Sequence, residues 1–309
     1  MPEGRHWRLR LATHTKPLAV PDGAPGSELP ALHNRYLQEP ADHAPRPYLH
    51  PVRSLAGTVV SQARPADHPH HLGLSIAFSD INGTNFWGGS TYTPAGGSML
   101  LDNHGVQRPH GWQSTSNTEF GDVSWISRSG EHLGAEQRRI EYLHHPAPAT
   151  WSLSLFSVMV PAGDAERLEV SSSAVKGRAG AGYGGIFWRF PEPTGQPLVL
   201  SDAGSGADAA HGSLSRWLSI SMDLGGAAVT VVLGQDPDRL LPWFIRTEGY
   251  LGAGPSVAWT QAAVVDHNNP LKLALHAVIH DGPVSTAAHA LELLQQHPLL
   301  SNSPPDRTS

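Results

Sequence analysis

Glycine and proline punctuate this chain so densely that few stretches are long enough to wind into a helix. There are 32 glycines and 27 prolines in 309 residues. Between them lie short segments whose apolar residues recur at every second position, the spacing that turns one face of a strand toward a core. Asp122 to Ser127, Glu136 to Tyr142 and Thr150 to Val160 read this way, the last with Trp151, Leu153 and Leu155 on one face. Further strands are expected at 57–61, 74–78, 98–101, 167–175, 186–190, 197–202, 216–223, 227–234, 243–247, 256–265 and 271–280, with Gly225-Gly226 as a hairpin turn. Near the start, residues 5–20 alternate like an opening strand, Pro17 to Pro30 is a turn-rich connector, and Arg35-Tyr36-Leu37 and Arg46 to Val52 read as short edges. Only from Ser285 to His297 does the period change, with Ala287, Ala290, Leu291, Leu293 and Leu294 marking one amphipathic helix before a polar tail expected to be disordered. More than a dozen strands and one helix predict an all-β fold, a large antiparallel β-sandwich with a single C-terminal helix. The even turn spacing predicts a single domain over 1–309, with 1–45 as N-terminal strand and connector and 283–309 as C-terminal helix and tail.

Several functional classes are set aside by composition. The formal charge is -6, and the 21 lysines and arginines are scattered, so there is no electrostatic footprint for nucleic acid or an anionic membrane. Cysteine is absent, which removes disulfides, thiolate metal sites and thiol nucleophiles. Met1 to Thr15 lacks the apolar core of a signal peptide, and no apolar run approaches the roughly 20 residues that span a bilayer. The expectation is a cytoplasmic protein.

Chemistry concentrates between Arg64 and Gly89. His68, His70 and His71 surround Pro69 next to Asp67, an apolar run follows, and Asn85-Phe86-Trp87-Gly88-Gly89 closes the segment. Imidazole titrates nearest neutrality, so such a cluster offers acid, base, hydrogen-bond or metal-ligand chemistry. Read as a strand, it would put His68 and His70 on one face and His71 on the other. Trp87 between Asn85 and glycines offers a platform on which a sugar ring can stack. His110, flanked by Pro109 and Gly111, is expected in a loop that joins the same concavity. Arg139 and Glu141 share a strand face. The glycine-rich run 177–185 leads into a strand, whereas phosphate-cradling loops need a following helix, so nucleotide binding is not expected. Tyr183, Arg189 and Arg246 are the residues from this and the Trp243-Phe244-Ile245-Arg246 segment expected to reach a ligand. No nucleophilic serine elbow is present.

Arg46-Pro47-Tyr48-Leu49-His50-Pro51-Val52, Asp67-His68-Pro69-His70-His71-Leu72-Gly73-Leu74, Asn85-Phe86-Trp87-Gly88-Gly89, the 182–189 segment and Trp243-Phe244-Ile245-Arg246 together resemble the bacterial family labelled methane oxygenase PmoA, over about residues 46–282. Particulate methane oxygenase is a copper enzyme of the membrane, and this chain has no spanning run, so no methane chemistry is carried over. The resemblance implies a soluble β-sandwich protein found in sugar-catabolic settings beside NAD-dependent sugar oxidoreductases. A looser likeness, of architecture and residue type, is to the galactose mutarotase-like supersandwich. The function expected is a carbohydrate-active enzyme acting on a sugar or keto-sugar glycoside. His70 and His110 would transfer protons with their pKa values held near working pH, with Glu141 as carboxylate partner. His68, His71, Trp87, Tyr183, Arg189 and Arg246 would bind substrate. Hydrolysis, elimination and epimerisation all stay open. So do two other classes, a non-catalytic sugar-binding protein and a cupin-like enzyme with a histidine-bound divalent metal; no cofactor is otherwise expected.

Overall fold

The computed structural model describes residues 32–33 and 40–300. The expected opening strand, the Pro17 to Pro30 connector, the edge at 35–37 and the tail beyond residue 300 lie outside the described residues. Two open antiparallel sheets form the body. The smaller has six strands in the order Leu32–His33, Tyr48–Leu49, Leu74–Phe78, Gly184–Arg189, Gly252–Pro255, Trp243–Arg246. The larger has nine, in the order Gly204–Ser205, Leu198–Ser201, Trp217–Asp223, Ala228–Gly234, Leu271–Asp281, Thr150–Pro161, His132–His144, Thr118–Ile126, Val106–Ser114. A three-stranded sheet (Ala263–Asp266, Arg167–Ser171, Asp80–Ile81) and the hairpin Thr91–Thr93 with Gly97–Met99 complete the β structure.

Period-2 alternation decides what each sheet turns inward. Leu74, Ile76 and Phe78 from the six-stranded sheet share one core with Leu153, Leu155, Leu275, Ala277 and Ile279 from the nine-stranded sheet, so the architecture is an all-β sandwich. The same inner layer holds one ion pair, Arg138 on Glu136 at 2.7 Å, with Gln107 and the Trp125 indole satisfying the remaining polar atoms. A buried pair is tolerated only when its lone pairs and protons are matched in this way.

The outer face of the nine-stranded sheet is divided. Helix Ala287–Gln295, capped by the Thr286 hydroxyl accepting from the His289 amide, lays Ala290, Leu293 and Leu294 over Val232 and Val278 and covers one half. On the other half His110, Phe120 and Gln137 are exposed. Pro109 sits in Val106–Ser114, the outermost strand, where a missing N–H costs no ladder bond.

Some boundaries differ from expectation. Of the strand expected over 256–265 only the end is strand, within Ala263–Asp266; the rest is a loop after Gly252–Pro255, where Ser256 turns its hydroxyl onto the Gly182 carbonyl. The strand expected over 167–175 stops at Ser171, where Ser172 bonds the Ala258 carbonyl. Besides the C-terminal helix there is a one-turn helix at Ala207–Ala210 and a 3-10 turn at Ala41–His43. No helix among the described residues is long and apolar enough to cross a membrane.

Candidate functional site

The alternation that fills the core also furnishes the opposite, outer face of the six-stranded sheet. Ala77, Phe187 and Phe244 project there and, with Trp87 and Tyr250, form a separate aromatic cluster. Registers Phe187↔Ser75, Arg189↔Gly252 and Gly252↔Arg246 put two arginines on one row with a glycine between them. A Cβ at Gly252 would lie 2.6 Å from Phe187 and 3.2 Å from Tyr250. The missing side chain is therefore what admits the Tyr250 ring, which takes the Arg189 guanidinium at 4.7 Å and that of Arg246 at 5.2 Å.

Above this floor opens a cavity of about 670 Å³. The histidine segment forms one wall, and the chain ends of the sandwich supply the rest: Arg178 and Tyr183, Asp208 and His211, and Arg246 and Glu248. Of the residues singled out from sequence, His68, His70, His71, Trp87, Tyr183 and Arg246 meet here.

Residues 64–71 are turns rather than a strand, because proline at 65 and 69 breaks the ladder. The faces expected from strand alternation do not apply, and the three imidazoles touch one another. His68 stacks on His71 with ring centroids 4.6 Å apart, and His70 meets His71 edge-on at 4.8 Å. Arg46 fixes the segment from beneath, donating to the carbonyls of His70 (2.9 Å), Trp87 (3.0 Å) and Ala44 (3.1 Å). Asn85 accepts from the Trp87 and Gly88 amides at 2.8 and 2.9 Å and holds that turn closed.

These side chains are not equivalent. Burial, then Arg46 and the neighbouring histidines, lower the His70 pKa to about 3, and burial pushes His71 down as well. Both rings are therefore neutral near pH 7, and the expectation of a His70 poised near working pH is corrected. His71 is 2% exposed. His68 is different: its side chain is 33% exposed, and its Nδ1 lies 2.7 Å from the Asp67 carboxylate. Burial alone would raise the Asp67 carboxyl, but the His68 hydrogen bond and Arg189 outweigh it and hold it below the ordinary carboxylate range. Asp67 thus stays charged and accepts from His68 Nδ1–H, an arrangement that in the neutral imidazole leaves the lone pair on Nε2.

Trp87 is 5% exposed, packed against Tyr183 at 4.7 Å and Phe187 at 4.8 Å, so it contributes floor rather than an open platform. Arg189 does not line the cavity; it is buried behind Tyr250, with Nε on Gln62 and Nη2 3.6 Å from Asp67.

His110 and Glu141 belong elsewhere. His110 is not in a loop but in Val106–Ser114, exposed, 2.9 Å from the Ser124 hydroxyl; Glu141 pairs with Arg139 at 2.6 Å. Both are out of register with the core-facing Ile140 and Tyr142 and lie on the outer face of the nine-stranded sheet. The cavity is on the outer face of the other sheet, so His70, His110 and Glu141 do not form a catalytic set. Among the described residues no three His, Asp or Glu side chains are gathered to hold a metal ion.

Sequence reasoning passed over Arg178, Asp208, His211, Glu248 and Tyr250. His211 bridges two rims, within 3.0 Å of the Ile245 carbonyl and 3.1 Å of that of Gly180. The one local signal was position: 247–250 directly follows the Trp243–Arg246 strand, and loops leaving a rigid sheet are where sites assemble.

Fold and cavity together define an all-β sandwich protein whose candidate site is a histidine- and aromatic-lined recess on the outside of its smaller sheet. The chain belongs to a family of unknown function, DUF6807, which matches residues 26–294. No curated protein matches it.

Proposed function

We propose that the cavity binds a carbohydrate and that the protein is an enzyme acting on a sugar or keto-sugar glycoside, with His68 as the proton-transfer residue. The observation that carries this reading is the Asp67–His68 contact of 2.7 Å at an accessible wall of a cavity with an aromatic floor and a polar rim. Aromatic rings match the C–H faces of a sugar, and a rim of carboxylates, guanidiniums and hydroxyls matches its alternating donors and acceptors. Ser90, Ser98, Arg178, Asp208, Arg246 and Glu248 supply that rim.

In this reading His68 Nε2 removes a proton from the carbon beside a sugar carbonyl, the first step shared by elimination and epimerisation. Asp67 stabilises the imidazolium that forms, without taking the proton itself. Arg246, on the same cavity, faces the oxyanion that develops as the C–H electrons move toward the carbonyl. His70 and His71, neutral, accept or donate hydrogen bonds to hydroxyls.

The test is NMR of the protein in deuterium oxide with glycosides and their 3-keto derivatives. A substrate should exchange the hydrogen next to its carbonyl and turn over. His68→Gln should lower the rate by about 10²- to 10⁴-fold and leave affinity within a small factor. Turnover that survives His68→Gln overturns the assignment. Saturable binding with neither exchange nor turnover would make the protein a sugar-binding protein.

A further inference from the structure

The residues on the half of the nine-stranded sheet that carries Phe120 are not used by the cavity, yet they form a recess of their own, about 550 Å³. Register pairs Gln113↔Phe120 and Phe120↔Arg139 make one outer row, and Asp122↔Gln137 the next, with Thr115 and Thr118 at the end. The outermost strand carries a bulge between His110 and Gln113, with Gly111 at φ 62. A bulge bends its strand and increases the local twist, which makes a wall at this edge of the sheet. The C-terminal helix packs over Val232 and Val278 instead, and on this half Gln113, Phe120 and Gln137 are exposed.

Phe120 is 38% exposed in the middle of the recess, a large ring that core packing does not require. Around it the side chains of Gln113, Gln137 and Asp122 make no hydrogen bond to other described residues. Arg139 spends Nη2 on Glu141, while its Nε is buried without a partner. The groups on offer are thus one apolar ring, two planar amides, a guanidinium and a carboxylate, while the Thr115 and Thr118 hydroxyls already bond within their own turn.

We infer that this face is a second, non-catalytic binding site for a neutral saccharide. A pyranose lays its C–H face on a ring such as Phe120 and presents vicinal hydroxyls, each donor and acceptor, to the amides, Arg139 and Asp122. A peptide helix or lipid would need a wider apolar surface than a single ring. Nucleic acid would need more cations than Arg139, whose charge Glu141 already balances. With Asp122 as a further carboxylate, the local charge disfavours acidic sugars. The inference is independent of what the cavity does.

The experiment is a titration of the full chain, watched by amide-resolved NMR, with gluco-, xylo-, manno- and galacto-configured di- to tetrasaccharides and one uronic-acid disaccharide. At least one neutral saccharide should shift the amides of Gln113, Thr118, Phe120 and Gln137 saturably, and the uronic acid should bind more weakly. Phe120→Ala, an exposed position, should weaken this binding about tenfold, the loss of a stacking contact of about 1.4 kcal/mol. Arg139→Met should weaken it too, and His68→Gln should leave it unchanged. If no saccharide in the panel shifts these amides, if Phe120→Ala binds as the parent does, or if His68→Gln abolishes the shifts, there is no second site.

Discussion

Gly89 shows how much one missing methyl can position. Its φ is +65°, and a Cβ there would lie 2.7 Å from Cε1 and 2.9 Å from Nδ1 of His70. Gly88, at φ +95°, would meet the His70 Cβ at 2.6 Å and the His43 carbonyl at 2.8 Å. The glycines beside Trp87 are therefore the seat of the His70 ring, a reason different from the open stacking platform that their neighbourhood suggested. Gly89→Ala should cost about 1–2 kcal/mol for the left-handed backbone and displace the ring. Urea unfolding measures the first effect, and the His70 ring resonances the second; unchanged resonances would show that the seat is not needed. The histidine cluster itself was legible in the sequence, as was its tie to Trp87. Which of its members meets solvent was not, because exposure depends on Phe187, from a distant strand, and Tyr250, from the loop after Trp243–Arg246.

At the scale of elements, the C-terminal helix is attached to the sheet through buried histidines. His276 Nδ1 lies 2.8 Å from the Ser154 hydroxyl, His297 Nε2 lies 3.3 Å from the same oxygen, and His145 Nε2 lies 2.8 Å from the Leu293 carbonyl. Burial lowers His276 to about 4 and His297 to about 3, and depresses His145 as well. Each folded pKa is below the unfolded value of about 6.5, so below that pH the unfolded chain takes up protons first. Stability is whole at pH 7, falls as pH drops through about 6.5, and levels off only near the folded values. The loss by pH 5 should be on the order of 2 kcal/mol for each strongly shifted histidine. Urea titrations at pH 7 and pH 5 read it, and His297→Gln should flatten the pH slope; a slope identical to the parent's would remove His297 from the account. The helix was readable from its 3.6-residue period to within two residues at each end. Its buried histidines were not, since period says nothing about the polar partner on the sheet.

For the molecule as a whole, one core serves two outer faces. Leu275 is fully buried on a central strand of the nine-stranded sheet and packs in the same layer as Ile76 and Trp188 of the six-stranded sheet. Leu275→Ala should cost about 2–5 kcal/mol, the transfer term plus the cavity. Tryptophan fluorescence and far-UV circular dichroism should then lose their signals at one shared, lower urea midpoint. Separate midpoints would mean that the sheets do not unfold as a unit. Period-2 alternation, dense turns and a single amphipathic stretch are local properties, and the sequence alone determined from them an all-β sandwich with its helix at the end. Alternation also told that Arg139 and Glu141 share a face. It could not tell that this face belongs to the larger sheet while His70 stands outside the smaller one. Strand order and register are set by contacts between residues far apart in the chain, and only those contacts bring Asp67, Asp208 and Glu248 around one cavity and send His110 to the other side of the core.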